Sequence, residues 1–398
     1  MSGIAGLWRL DGRPAAPGDA DRLVARLAHR GPDDSGVWTD GSVALGHRLL
    51  HTTPESLGET QPLASRDGHL VLTADARLDN REDLLATLGP NPPPASASDA
   101  ALILRAYESW GEECLGRLLG DFAFGVWDAR RQALFCARDP LGVRPFYYHL
   151  GPRLFVFASE IRALFTQPEV PRRPNELKIA DYLVPCLDDR AATYFADVVS
   201  LPGGHCLTVG RPPAAPRAYW TLDPTREAAL AGDAACAQAF REVFGEAVRA
   251  RLRSAVPLGA TLSGGLDSSS VIGTARRLAG PDAPPLPVIS AIFPDIPACD
   301  ERTYIDCVVA RGGLVPLPMR GDHLDPLGDA EAMPWDPDDT MHAAGLHLHW
   351  ALYQAAREAG LRVVLVGTAG DNVVSHGGAR VHELMRAGRW LTGAREAS

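Results

Sequence analysis

Through the first half of the chain, short apolar runs alternate with turn-forming clusters, at residues 4–10, 42–50, 69–73, 122–127, 132–137 and 154–158. Runs of this length predict strands of an antiparallel-rich layer. Two stretches, 19–29 and 99–110, instead repeat apolar residues at spacings of three and four, which predicts amphipathic helices over the sheets. That is an α+β pattern. The prolines within 89–98 preclude a helix or a central strand there and predict a surface loop.

Beyond a Pro/Gly/Ala-rich stretch at 210–216 the rhythm changes. A helical pattern over 226–253 leads into strand 258–262, helix 268–278, strand 288–293, helix 301–311, strand 314–317, helix 346–359 and strand 363–366. Alternating strands and helices predict an α/β, doubly wound parallel sheet whose ligands sit beyond the C-terminal ends of its strands. The pattern thus divides the chain into an α+β domain at 1–215 and an α/β domain at 225–398.

Charge and composition narrow the function. Lys and Arg total 39 against 49 Asp and Glu, a net −10 that leaves no general basic surface for nucleic acid. Lys178 is the only lysine, so chemistry that needs an ammonium group has one candidate. The seven cysteines (Cys114, Cys136, Cys186, Cys206, Cys236, Cys299, Cys307) form no C-x-x-C pair and read as scattered, reduced packing thiols. No secretory signal and no apolar run of membrane-spanning length is present, which predicts a cytoplasmic protein without a membrane partner.

The strongest motif is S-G-G-L-D-S-S-S at 263–270, between a predicted strand and a predicted helix. Two glycines let backbone approach an anion, and the helix start offers free N–H groups. It is neither a Walker A loop nor a G-x-G-x-x-G dinucleotide turn. An aspartate in such a loop repels phosphate unless a divalent cation stands between them, so Asp267 is a candidate Mg²⁺ ligand. Asp371, just after strand 363–366, is the second candidate, facing the same site from a neighbouring strand end. His342, His347 and His349 do not share one helical face and read as packing or surface residues. Asp300 and Glu301 read as helix capping groups, and two readings of His376 stay open, a contact to a substrate carboxylate and a structural hydrogen bond.

The 263–270 string resembles the pyrophosphate loop of ATP pyrophosphatase domains, specifically the asparagine synthetase family. The resemblance extends over nearly the whole chain. S-G-I-A-G at 2–6, H-R-G-P-D at 29–33, G-D-F-A-F at 120–124, R-D-P-L-G-V-R-P at 138–145 and A-S-E at 158–160 resemble the class II glutaminase domain of that family, an Ntn-hydrolase-like fold. The resemblance implies an ATP-dependent ligase that activates a carboxylate as an acyl-adenylate. Glutamine-hydrolysing members carry Cys where this chain has Ser2; Leu49 stands at their glutamine-binding arginine and Asp75-Ala76-Arg77 at their Asn-Gly-Glu, and Asp99 alone matches the glutamine pocket. The first domain is therefore expected to be structural and inactive on glutamine.

Members with a degenerate glutaminase domain include lasso peptide cyclases, and several strings here are similar to theirs, among them 46–55, 74–81, 370–377 and 383–390. The resemblance implies ATP and Mg²⁺ as cofactors and a ribosomal precursor peptide as substrate. A leader-binding protein and a maturation protease are the implied partners. It places Ser263, Gly264, Gly265, Asp267 and Ser268 against pyrophosphate, Asp267 and Asp371 on Mg²⁺, and Leu262, Ile292 and Gly367 against adenosine. Asn372 and Thr368 depart from the S-G-E-G-S-D-E string of asparagine synthetases. Relatives continue past the region of Trp390 through helices that carry a lysine, so the synthetase domain is expected to be C-terminally incomplete. Two further readings stay open: an asparagine-synthetase-like enzyme using ammonia on aspartate, and a non-catalytic nucleotide-binding remnant.

Overall fold

The computed structural model describes residues 1–89, 92–184, 189–210, 215–223, 225–226, 229–325, 345–374 and 379–396. The chain forms two compact units that divide between Leu230 and Ala231, just beyond the stretch in which the sequence places the boundary.

The strands of the first unit are β1 (Gly3–Arg9), β2 (Asp34–Asp40), β3 (Val43–Leu49), β4 (Leu63–Ala64), β5 (Leu70–Leu78), β6 (Gly120–Asp128), β7 (Ala133–Arg138), β8 (Tyr147–Leu150), β9 (Leu154–Ala158), β10 (Val199–Ser200), β11 (His205–Val209) and β12 (Arg217–Ala218). Its helices are α1 (Asp19–Ala25), α2 (Arg81–Thr87), α3 (Asp99–Trp110), α4 (Ile161–Leu164) and α5 (Glu176–Leu183). The strands pair into two six-stranded sheets, in the orders β10-β8-β9-β1-β3-β2 and β12-β11-β7-β6-β5-β4. Every pairing in both is antiparallel.

Burial shows how they stack. Ile4, Trp8, Leu45, Val71, Trp127 and Phe155 fill one apolar layer contributed by both sheets, with the Trp8 and Trp127 rings edge-on at 5.1 Å. Leu23 and Leu27, at and just after α1, cover the other face of the first sheet with Leu7 and Val156. Leu102, Ile103 and Tyr107 of α3 cover the other face of the second with Leu72, Phe122 and Phe124. A helix–sheet–sheet–helix sandwich results, so the inner strands β1, β3 and β5 are buried on both faces.

In the second unit β13 (Leu258–Thr261), β14 (Leu286–Ile292), β15 (Leu314–Arg320) and β16 (Val363–Leu365) form a parallel sheet in the order β15-β14-β13-β16. Its helices are α6 (Asp233–Leu252), α7 (Leu266–Ala279), α8 (Arg302–Val309), α9 (Leu346–Glu358), α10 (Gly370–Val374), α11 (Ala379–Arg386) and α12 (Trp390–Glu396). Val248, Ile272 and Ile305 from α6, α7 and α8 pack on one face, and Leu352 and Ala356 of α9 on the other. The strand order reverses between β13 and β16. In open α/β sheets that reversal opens a crevice beyond the strand ends, and the 263–270 motif and Asp371 lie at those two ends.

Candidate active site

Strand β13 runs into buried Leu262, and the chain then turns sharply. Gly264 makes the turn at φ +81°, and a Cβ there would lie 2.6 Å from the Tyr304 Cβ, so this position requires glycine. Gly265 is the extended N-cap of α7. The Ser268 hydroxyl accepts from the Ser263 amide at 3.3 Å, donates to the Gly265 carbonyl at 3.3 Å and meets the Ser263 hydroxyl at 3.1 Å. The loop is thus shaped by its own side chains.

The Asp371 amide donates to Asp267 Oδ2 at 3.0 Å, tying the turn after β16 to the first turn of α7. The structure therefore brings Asp267 and Asp371 together. Gly367 makes the approach possible: its Cβ would fall 2.6 Å from the Ser268 amide nitrogen. Between the two lies a cavity of about 540 Å³ lined by Leu262, Ser263, Gly265, Asp267, Ser268, Gly367 and Asp371 on the loop side, and by Phe293, Leu348 and Leu352 opposite. Ile292, placed against adenosine by the family resemblance, does not line it; its strand neighbours Ala291 and Phe293 do, because successive side chains alternate between faces. Gly264 is likewise outside the lining, packed on Tyr304.

Two residues that the sequence reading assigned to capping and packing do reach the cavity, Glu301 and His349. Glu301 is at the N-cap of α8 but its side chain makes no capping bond. The sequence signal that could have found it is its loop, which leaves a strand C-terminus. Among the described residues the lining holds three carboxylates and one imidazole but no Lys or Arg. Oxygen donors such as the Asp267 and Asp371 carboxylates suit Mg²⁺, and a lining this acidic can accept a polyphosphate only with a cation between them.

In the first unit, Ser2 is buried; its hydroxyl accepts the Leu50 amide at 3.0 Å and its carbonyl accepts Arg30 Nε at 3.1 Å. Leu49, the position at which the resemblance places an arginine, is buried. Asp75 is buried, with Arg144 Nη1 3.6 Å from one carboxylate oxygen and no hydrogen bond to the other. Asp99 accepts the Leu78 amide at 3.1 Å and pairs with Arg81, which also holds the carbonyls of Ala95 and Ala97. Burial lowers the His47 pKa to about 4, against the pull of Asp75 and Asp34. Burial raises that of Glu59 to about 7. Neither residue was singled out by the sequence, since a lone His or Glu carries no signal of its surroundings.

Two carboxylates of the landmark strings, Asp139 and Glu160, each gather several donors. The buried Asp139 carboxylate accepts amides of Phe122, Leu141, Val143 and Arg144, folding the loop that carries Arg144 towards Asp75. Glu160 gathers His29, Arg30 and Arg162. Lys178 is on α5 beside a groove of about 940 Å³ and donates to the Asp189 carbonyl at 3.2 Å. Cys114, Cys136 and Cys206 are buried packing thiols, with burial pushing Cys114 up to about 12 and Cys206 to about 11. Cys236, Cys299 and Cys307 are exposed, correcting their assignment to packing, and Cys186, His342 and His376 lie outside the described residues. Among the described residues one group of three side chains, Asp295, Asp322 and His323, has its potential ligand atoms within 4.8 Å of one another, and Arg320 already bridges its two carboxylates. No helix among them is long and apolar enough to cross a membrane.

Comparison with known proteins agrees with both halves. Residues 1–220 match the model of a glutamine amidotransferase domain and residues 239–397 that of asparagine synthase. The chain is 33% identical to asparagine synthetase [glutamine-hydrolyzing] 3 of Bacillus subtilis over 64% of its length and 42% of that protein's. It is 28% identical to a putative asparagine synthetase [glutamine-hydrolyzing] 2 of Methanocaldococcus jannaschii, over 78% of this chain and 62% of that protein. To amidase chry2 of Gibberella zeae it is 31% identical over 70% of this chain and 43% of that one. The chain thus spans less than two thirds of the length of these relatives. With an Ntn-hydrolase-like class II amidotransferase domain followed by a parallel-sheet asparagine synthase domain, it belongs to the asparagine synthetase family.

Proposed function

We propose that the chain acts as an ATP-dependent amide ligase whose nucleotide-binding and carboxylate-activating site lies in the second unit. The observation that carries this reading is the junction of Asp267 and Asp371 at the strand-order reversal, where both line one cavity with the 263–268 turn. Asp267 and Asp371 would hold Mg²⁺, which when bound neutralises the phosphates of ATP. The amides of the 263–268 turn and the start of α7 receive the pyrophosphate end, and Leu262 and Gly367 flank the nucleoside. A substrate carboxylate oxygen attacks the α-phosphorus, and pyrophosphate leaves. An amine then attacks the acyl carbon; AMP departs and the amine nitrogen loses its proton. What the protein supplies is charge compensation and alignment of the reacting atoms.

The carboxylate is proposed to be an Asp or Glu side chain of a ribosomal precursor peptide, and the amine that peptide's own N-terminus, closing a macrolactam of the lasso type. A leader-binding protein and a protease belong to the same proposal. It is supported by the residues of the first domain: Leu49 buried in place of an arginine, Asp75 beside Arg144, and Asp99 occupied by Arg81. These favour a domain that does not hydrolyse glutamine, so the amine must come with the substrate. The competing reading, ammonia transfer to free aspartate, draws on the names of the relatives.

One experiment separates them. Purified chain with ATP and Mg²⁺ is given an Asp- or Glu-containing precursor peptide, aspartate with ammonium, or glutamine. The proposal expects AMP formation and loss of one water from the peptide in the first case, and no ammonia release from glutamine. Asparagine formation, with an inert peptide, would overturn the lasso-type reading.

A further inference from the structure

Gly370 opens the short helix α10, and its φ does not lie in the left-handed region, so the backbone does not demand glycine there. The reason for glycine is a neighbour. A Cβ on Gly370 would stand 2.2 Å from Oδ2, 2.4 Å from Cγ and 2.9 Å from Oδ1 of Asp267, so the Asp267 carboxylate occupies the space that a side chain would fill. Oδ2 of that carboxylate is taken by the Asp371 amide, and among the described residues no donor is bonded to Oδ1.

We propose that Gly370 is a positioning residue whose bare α-carbon seats the Asp267 carboxylate, fixing Oδ2 on the Asp371 backbone and presenting Oδ1 to the cation that carries the ATP phosphates. The inference rests on the ligase reading above and adds to it a residue that touches neither metal nor nucleotide. A methyl group at 370 drives the carboxylate out of its seat by roughly 1 Å, whereas metal–ligand distances tolerate only about 0.2 Å. The atoms displaced are the end of one flexible side chain, so the fold survives. Cation binding does not.

The test is a double-mutant cycle on equilibrium ATP binding, in MgCl₂ and in EDTA, with the wild-type chain, Gly370→Ala, Asp267→Ala and the double variant. The expected result is tighter wild-type binding with Mg²⁺, and a roughly 10- to 100-fold loss of that Mg²⁺-dependent gain in Gly370→Ala. Binding in EDTA and the thermal midpoint should stay near wild type. In the Asp267→Ala background the methyl group finds empty space, so Gly370→Ala should change binding less than about twofold. Should Asp267→Ala not fold, Asp267→Ser replaces it in the cycle. An equal effect of Gly370→Ala in both backgrounds, or none in the wild type, overturns the inference while leaving the ligase reading intact. Wild-type ATP binding that ignores Mg²⁺ overturns the ligase reading and this inference together.

Discussion

Gly367→Ala is the sharpest perturbation of the junction between the two strand ends. The added Cβ would lie 2.6 Å from the Ser268 amide nitrogen, 2.8 Å from the Asp267 carbonyl carbon and 2.9 Å from the Ser268 Cα. All three are backbone atoms in the first turn of α7, anchored by the fourteen-residue helix Leu266–Ala279 behind them, so no side-chain rotation relieves the contact. Carbon contacts settle near 3.5–4.0 Å, which calls for a separation of the two loops by about 1 Å. Overpacking of this kind costs about 1–3 kcal/mol. At roughly 2–4 °C per kcal/mol, the thermal midpoint of this unit should fall by a few degrees to about 12 °C. Mg²⁺–ATP affinity should suffer more, falling by roughly 10- to 100-fold, the usual cost of disturbing the groups that orient a metal ligand. Differential scanning calorimetry and Mg²⁺–ATP titration read the two effects side by side. A Gly367→Ala chain within about threefold of wild type in Mg²⁺–ATP affinity, at an unchanged midpoint, would refute the close approach on which the site depends.

Other consequences concern stability. His47, neutral in the fold with a pKa near 4 against 6.5 unfolded, contributes stability that is present above pH 6.5 and lost as the pH falls towards 4, about 3 kcal/mol in all; His47→Gln should flatten that acid limb in urea titrations. Glu59 has the opposite sign: raised from 4.5 to about 7, it contributes stability that is present below pH 4.5 and lost as the pH climbs through 7, a decline that Glu59→Gln should remove. Arg81→Ala strips Asp99 of its buried partner and should cost about 3 kcal/mol or more by chemical denaturation, with Arg81→Lys restoring only part. Ala369 sits at φ +65°, where a side chain costs about 1–2 kcal/mol and glycine loses about 0.5–1 kcal/mol in entropy; Ala369→Gly should therefore raise the thermal midpoint slightly, and a lower midpoint would contradict the assigned backbone.

Much of the fold was legible because burial leaves a periodic mark. The buried strands β1, β3 and β6 and helix α3 fall on the predicted runs within a few residues. What was missed follows a physical pattern. Strand β2 lies at a sheet edge with both faces largely exposed, and its Asp, Ser, Gly and Thr carry no alternation. Strand β5 continues past residue 73 through Asp75 and Arg77 because β6 pairs with it along its whole length, tertiary information absent from local pattern. β15 runs on through Pro316 and Pro318 to Arg320; as an edge strand it has no partner for the missing N–H groups, whereas the prolines read locally as a stop. Helix α6 starts at Asp233 rather than at 226, after Gly232 at φ +87°. At the site, the meeting of Asp267 and Asp371 followed from topology. The reach of Glu301 and His349 into the cavity, and of Arg144 to Asp75, depends on where loops and a helix face turn, which spacing does not encode.

The most direct test of the account is the nucleotide product formed by the purified chain from ATP and Mg²⁺ with a precursor peptide bearing an Asp or Glu acceptor. Acyl-adenylate chemistry predicts AMP and pyrophosphate in equal amounts, and none from Asp267→Asn, which keeps an oxygen for the Asp371 amide but loses the charge. ADP and phosphate as products, or undiminished AMP from Asp267→Asn, would contradict it.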